Sequence, residues 1–197
     1  RSPGCNWSPL IAVHIEQPGS RHSKPAASST LSSPSRSACA LTVWEPGTVS
    51  GEYIKTYGHY HVGDLDETYW ILFGEGIALL QKLAIDQSGS MIPEVVEEFK
   101  AVKVKPGDSL YMPAGYGHLV VNTGSTYFVT ADDSPVNFEE KEASSLPGHA
   151  DYILVQKMRG FAYYVVEHNG QPVLVKNTHY REVKKVELGG LTVIEMR

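Results

Sequence analysis

The sequence predicts an all-β fold, a jelly-roll barrel or a close sandwich relative, and three observations carry that expectation. From Leu41 onward, short runs rich in Val, Ile, Tyr, Phe and Thr recur at even spacing. Gly, Pro, Asn and Asp separate them, and no helical pattern alternates with them as it would in a parallel α/β sheet. In order, the runs are LTVW, EYIKTY, TYWILF, GIALLQKL, FKAVKVK, SLYM, HLVVN, TYFVTA, FAYYVVEH and PVLVK. Asn169-Gly170 between the last two predicts a β-hairpin, because a type I′ turn needs positive φ at both central residues. Pro106-Gly107-Asp108 is a second turn by composition. The acidic stretch PEVVEEF reads as a helical turn, and NFEEKEASSLPG as an exposed loop or short helix.

Residues 1–40 differ in character. They hold ten serines, five of the twelve prolines and one acidic residue, Glu16. Such a segment buries too little apolar surface to offset the entropy of ordering it, so it is expected to be poorly ordered. The expected organisation is therefore a Ser/Pro-rich segment over 1–40, a barrel carrying the functional site over 41–180, and a C-terminal strand or extension over 181–197.

Of the 197 residues, 42% are hydrophobic and 20% charged, ordinary proportions for one globular domain. The net charge of −5 argues against nucleic acid as a partner, since there is no basic surplus to displace counterions. It leaves a small anionic substrate possible, held by a few local donors. No apolar run approaches the ~20 residues of a membrane span, so no membrane partner is expected. Both cysteines, Cys5 and Cys39, fall in the first forty residues. No disulfide framework is therefore expected, the cytoplasm is the simplest compartment, and a metal beyond Ala40 must be held by nitrogen and oxygen.

His59 and His61 are separated by one residue, so on a strand running from Tyr57 to His61 they share a face. Glu67 opens the next strand, and His118 begins a later one. An isolated His-x-His is ordinarily a pair of surface strand residues. Three imidazoles with one carboxylate, however, make a mixed N/O set suited to Fe, Mn, Ni or Zn with positions left open for substrate. The spacing around them favours the second reading. Glu67 is followed after six residues by Gly74; Gly107 is followed by five residues, Pro113-Ala114-Gly115, two residues, His118, three residues and Asn122. This two-part pattern resembles the cupin signature, with a slightly longer His-to-Glu loop than is usual. The resemblance implies a cupin double-stranded β-helix with His59, His61, Glu67 and His118 as metal ligands.

A closer resemblance covers roughly Leu41 to Tyr180. The order of LTVWEPGTVSGEYIKTYGHYH, GEGIALLQ, VKPGDSLYMPAGYGHLVVNTG, GHADY and FAYYVVEHNGQPVLVKN is similar to the cupin-type, archaeal-like glucose-6-phosphate isomerases. The resemblance implies glucose 6-phosphate and fructose 6-phosphate as substrates, one divalent metal per chain with iron first and Mn, Ni or Zn as alternatives, and a homodimer. Residue by residue, Thr42, Thr56 and Gly58 match positions that hold the phosphate. Tyr69 shares the inward face with Glu67, and both are candidates for the chemistry. His149 and Tyr152 match a segment that closes over the site, with Ala150 inserted, which makes His149 a further candidate for the chemistry and Tyr152 one for binding substrate. The chain departs from the family over residues 1–40 and from Asp132 to Pro147. Two other functions use the same barrel: an oxygen-dependent cupin, either dioxygenase or decarboxylase, and a sugar-binding cupin without catalysis.

Overall fold

A computed structural model of the chain describes residues 40–133 and 150–195. The expectations for the N-terminal segment and for NFEEKEASSLPG therefore lie outside the described residues. The first half of the chain forms β1 (Ala40–Trp44), β2 (Thr48–Val49), β3 (Glu52–Tyr53), β4 (Tyr60–His61), β5 (Glu67–Phe73), β6 (Gly76–Ile85) and β7 (Met91–Val104). The second half adds β8 (Ser109–Met112), β9 (Tyr116–Asn122), β10 (Phe128–Asp132), β11 (Ala150–Asp151), the short helix α1 (Ile153–Lys157), β12 (Tyr163–His168), β13 (Gln171–Lys176), β14 (Glu182–Glu187) and β15 (Val193–Ile194). Among the described residues no helix is long and apolar enough to cross a membrane.

Two four-stranded sheets, in the orders β1-β10-β5-β8 and β14-β7-β6-β9, build the cupin double-stranded β-helix. Their inner faces share one core, in which Trp44, Ile71 and Phe128 of the first sheet meet Ala78, Leu80, Val104 and Val120 of the second. A third sheet, β15-β13-β12-β3-β2, lies against the outer face of the second. It forms a separate core there, with Val165 and Leu174 packed among Ile77, Leu79, Phe99 and Val121.

The middle layer is thus covered on both sides, and the sequence reflects it. Strand β5 alternates buried with half-buried residues, as a one-sided strand should. Strand β9 is buried at every position and β6 at nearly every one. Each fully buried Leu or Ile there contributes about 1.5–3 kcal/mol.

The Asn169-Gly170 hairpin forms as expected, with φ of 53° and 76° at the two residues and His168 opposite Gln171. PEVVEEF is not a helical turn: it belongs to β7, paired with β6 on one side and, in parallel, with β14 on the other. Glutamate's modest helix preference is outweighed by Val96, Phe99 and Ala101, which are buried in a core. The run expected from Tyr57 to His61 is strand only at Tyr60–His61, because Gly58 takes φ +85° and breaks it.

Candidate metal centre

His59 and His118 sit directly opposite each other across an antiparallel bridge, exchanging both backbone hydrogen bonds at 3.2 and 3.0 Å. His118 is carried by β9, after the Pro113-Ala114-Gly115 turn in which the Tyr116 N–H donates to the Pro113 carbonyl. His61 lies two residues beyond His59 on the same face, and Glu67 enters from β5 in the facing sheet. Ring nitrogen Nε2 of His59 is 3.3 Å from that of His61. Glu67 Oε2 is 3.4 Å from His61 Nε2 and 3.0 Å from His118 Nε2. One ligand atom from each of the four residues falls within 4.8 Å of all the others. Two donors each ~2.1 Å from a shared ion, at right angles, lie about 3 Å apart, the spacing seen here.

The donor chemistry fits a cation. His118 is 2% exposed, its Nδ1 is buried without a hydrogen-bond partner, and its Nε2, although 3.0 Å from Glu67 Oε2, is not aligned for a hydrogen bond with it. Protons are opposed as an alternative. Burial first, then the neighbouring His118 and His61 charges, push His59 down to about 3 against the opposing pull of Glu67. Burial and His118 likewise lower His61, partly offset by Glu67 and the Leu65 backbone. In the tautomer that carries its proton on Nδ1, each ring turns an Nε2 lone pair toward the Glu67 carboxylate, and such a set repels itself unless a cation lies between its members.

The far face of the ligand strand is fixed by a buried polar network. Tyr60, between the two histidines, points away from the centre, and its oxygen accepts from Gln81 Nε2 at 2.8 Å. Gln81 also donates to the Tyr180 oxygen and accepts from the Ala162 N–H through Oε1. Gly117, next to His118, is required by this packing. A Cβ there would stand 2.6 Å from the Tyr60 ring.

The family model of "Glucose-6-phosphate isomerase (GPI)" matches residues 31–182. Over 143 residues, 72% of this chain, the sequence is 34% identical to a glucose-6-phosphate isomerase of Thermococcus litoralis and 33% identical to one of Pyrococcus abyssi. The chain belongs to the glucose-6-phosphate isomerase family. It spans 63% and 64% of the length of these two relatives. Among solved structures, capsular polysaccharide assembling protein CapF from Staphylococcus aureus aligns at TM-score 0.42 and 18% identity, over 60% of this chain and 27% of that one.

Around the centre, this isomerase-family chain brings most of the other candidate residues together. Tyr69 is 8% exposed and stands edge-on to His118, with ring centroids 5.7 Å apart. Burial first, then Glu67, Asp132 and Tyr152, raise its phenol well above the ordinary value, so it stays protonated. Tyr152, the residue before α1, holds its ring 5.4 Å from His59 and 5.8 Å from Tyr57. His149 lies outside the described residues; the chain from Ala150 pairs directly with the ligand strand, Ala150 opposite His61.

Thr56 is half-buried, and its oxygen accepts from the Val120 N–H at 3.1 Å, which leaves the hydroxyl hydrogen to donate. At Gly58 a Cβ would approach Phe161 to 2.9 Å, so glycine is required by space as well as by φ. Thr42 is exposed and two strands away from Glu67, since β10 separates β1 from β5. It faces inward beside Thr130. Sequence reasoning overlooked Gln81, Thr130 and Asp132, all buried. For the last two, the alternation Phe128, Thr130, Asp132 was the available signal.

Proposed function

We propose that the chain is a metal-dependent aldose–ketose isomerase that interconverts glucose 6-phosphate and fructose 6-phosphate. The observation that carries this reading is the convergence of His59, His61, His118 and Glu67 within 4.8 Å at the junction of the two sheets, in a chain of this isomerase family. The four side chains would hold one divalent ion, iron first, with Mn, Ni or Zn as alternatives. When bound, the ion supplies a Lewis acid that polarises the sugar carbonyl and orients the two reacting oxygens.

The reaction is redox-neutral. From glucose 6-phosphate, the C2–H bond breaks, a C1–H bond forms, and the O2 proton passes to O1. The hydrogen moves either through a base and an enediol or by direct shift between carbons.

The chain's own residues bind and orient. Thr56 Oγ1 and the Gly58 N–H are uncharged donors for the phosphate, and Thr42 supplies a further hydroxyl at the rim. Remote fixing of the phosphate lets binding energy position C1 and C2. Tyr69, kept neutral, holds a proton beside the reacting oxygens. Glu67 is a ligand and the candidate proton carrier. Tyr152, with His149 ahead of it in sequence, covers the open side and excludes water. The same reading carries a homodimer and a cytoplasmic setting.

The test is a coupled assay of fructose 6-phosphate conversion, using chelator-stripped protein and then Fe(II), Mn(II), Ni(II) or Zn(II). Activity is expected to vanish with the chelator and return with metal. A folded, metal-loaded chain that turns over neither sugar phosphate overturns the reading and directs attention to oxygen-dependent chemistry or to sugar binding alone.

A further inference from the structure

We infer that Asp132 is a second substrate-contacting carboxylate, which accepts hydrogen bonds from the sugar hydroxyls between the reacting carbons and the phosphate. The inference rests on the phosphosugar reading above. It starts from a register shift. Along β10 and β5, Val129 pairs with Phe73, but the shift at Val129/Thr130 makes Thr130 pair with Ile71, Ala131 with Trp70 and Asp132 with Tyr69. On β10 itself the alternation Phe128, Thr130, Asp132 is unbroken, as its regular pairing with β1 shows, and it turns Asp132 inward with Phe128; the residue passed over by the shift is Leu72 of β5. With Leu72 passed over, the residue opposite Asp132 is Tyr69, whose ring reaches His118 inside the barrel. Directly opposed residues share a face, so the Asp132 carboxylate points into the same interior as the metal centre. Irregularities of this kind re-aim side chains beside functional sites.

Burial and neighbours agree with that placement. Asp132 is 6% exposed, and its charge is one of the influences that raise the Tyr69 phenol. Two residues back on the same inward row, Thr130 is fully buried, and its Oγ1 has no hydrogen-bond partner. The wall facing the histidines therefore carries a phenol, a carboxylate and a hydroxyl in adjacent positions.

A carboxylate repels the phosphate of a sugar phosphate and accepts from its hydroxyls. An open-chain hexose 6-phosphate offers hydroxyls at C3, C4 and C5. With C1 and C2 at the histidines and the phosphate at the Thr56–Gly58 segment, that middle portion is what the β5–β10 wall can meet.

The test is calorimetric titration of the metal-loaded full chain with two probes, neither of which can be isomerised: glucitol 6-phosphate and inorganic phosphate. In D132N, glucitol 6-phosphate is expected to bind about 10-fold or more weakly, the range for a lost hydrogen bond to a charged group. Inorganic phosphate should bind as well as before or better, because a repelling charge has gone. A general collapse of the site would weaken both. Equal weakening of both probes, or no change in either, overturns the inference. Asp132→Ser is the second variant should D132N fail to fold, with the same expectations. A wild-type chain that does not bind glucitol 6-phosphate removes the isomerase reading itself; wild-type binding with an unaffected variant removes only the role of Asp132.

Discussion

At the scale of single residues, Glu67 has two roles in tension. Beside a divalent cation a carboxylate has a lowered pKa, which suits a ligand and weakens a base. Its position, 3.0 Å from His118 Nε2 and 3.4 Å from His61 Nε2, favours ligation. Glu67→Gln keeps a carbonyl oxygen at the same place but cannot carry the proton. Metal content is expected to survive largely intact while turnover falls by about 10²-fold or more, the usual contribution of a positioned base. Metal analysis alongside steady-state kinetics checks this. If both quantities fall in proportion, Glu67 acts only as a ligand.

The donor set was legible because strand alternation and chain spacing are local properties. His59 and His61 lie two apart, and His118 sits at a fixed offset from its turn. The inward direction of Asp132 was open to the same reading through the alternation Phe128, Thr130, Asp132, but its neighbour was not, since standing opposite Tyr69 depends on a register shift in β5, a partner that the local pattern does not reveal.

Among the elements, β7 and β14 raise a different question: what holds a parallel pair whose outer strand is exposed at most positions? Lys185 Nζ lies 2.5 Å from Glu98 Oε1, Lys184 Nζ 2.8 Å from Glu97 Oε2, and Tyr116 donates to Glu98 from the next strand but one. Burial raises Glu98, but Lys185, Tyr116 and Lys100 together outweigh it and bring the group from 4.5 down to about 2. A carboxylate depressed by folding stabilises the fold fully above its unfolded value and loses that contribution as pH falls through the folded one. The stability gap between wild type and Glu98→Gln should therefore be widest near neutral pH and close between pH 4.5 and about 2. Urea midpoints at several pH values measure it, and a gap that stays constant with pH would reject this account.

The same elements mark where sequence reading stopped. Strands β5 and β12 announce themselves through β-branched and aromatic residues, whereas PEVVEEF carries the composition of a helix and is held in β7 by neighbours on both sides. Helix α1, a single turn, is too short for any periodic signal.

For the whole molecule, the middle sheet decides the architecture, with one face supplying the site and the other supporting it. Ligands from both sheets of the barrel meet at the centre, so an ion bound there favours the closed fold over the open chain. At 100-fold excess over its dissociation constant, an ion that binds only the folded state adds about 2.7 kcal/mol. For a domain of this size that is about 5–10 °C in the unfolding midpoint. Scanning calorimetry with chelator and then with metal should show that shift and its reversal; coincident midpoints would mean that the four side chains do not bind the ion in solution.

The opposed backbones of His59 and His118 have one more implication. Their separation is set by ladder geometry and not by the chain that joins them. That chain includes the β6–β7 hairpin, whose tip at Asp86–Ser90 is exposed and closed by its own hydrogen bonds, Asp86 Oδ1 accepting from the Ser88 and Ser90 N–H groups. The tip is therefore a place where the polypeptide can be lengthened, tagged or fused to another protein without disturbing the distance between the two ligands.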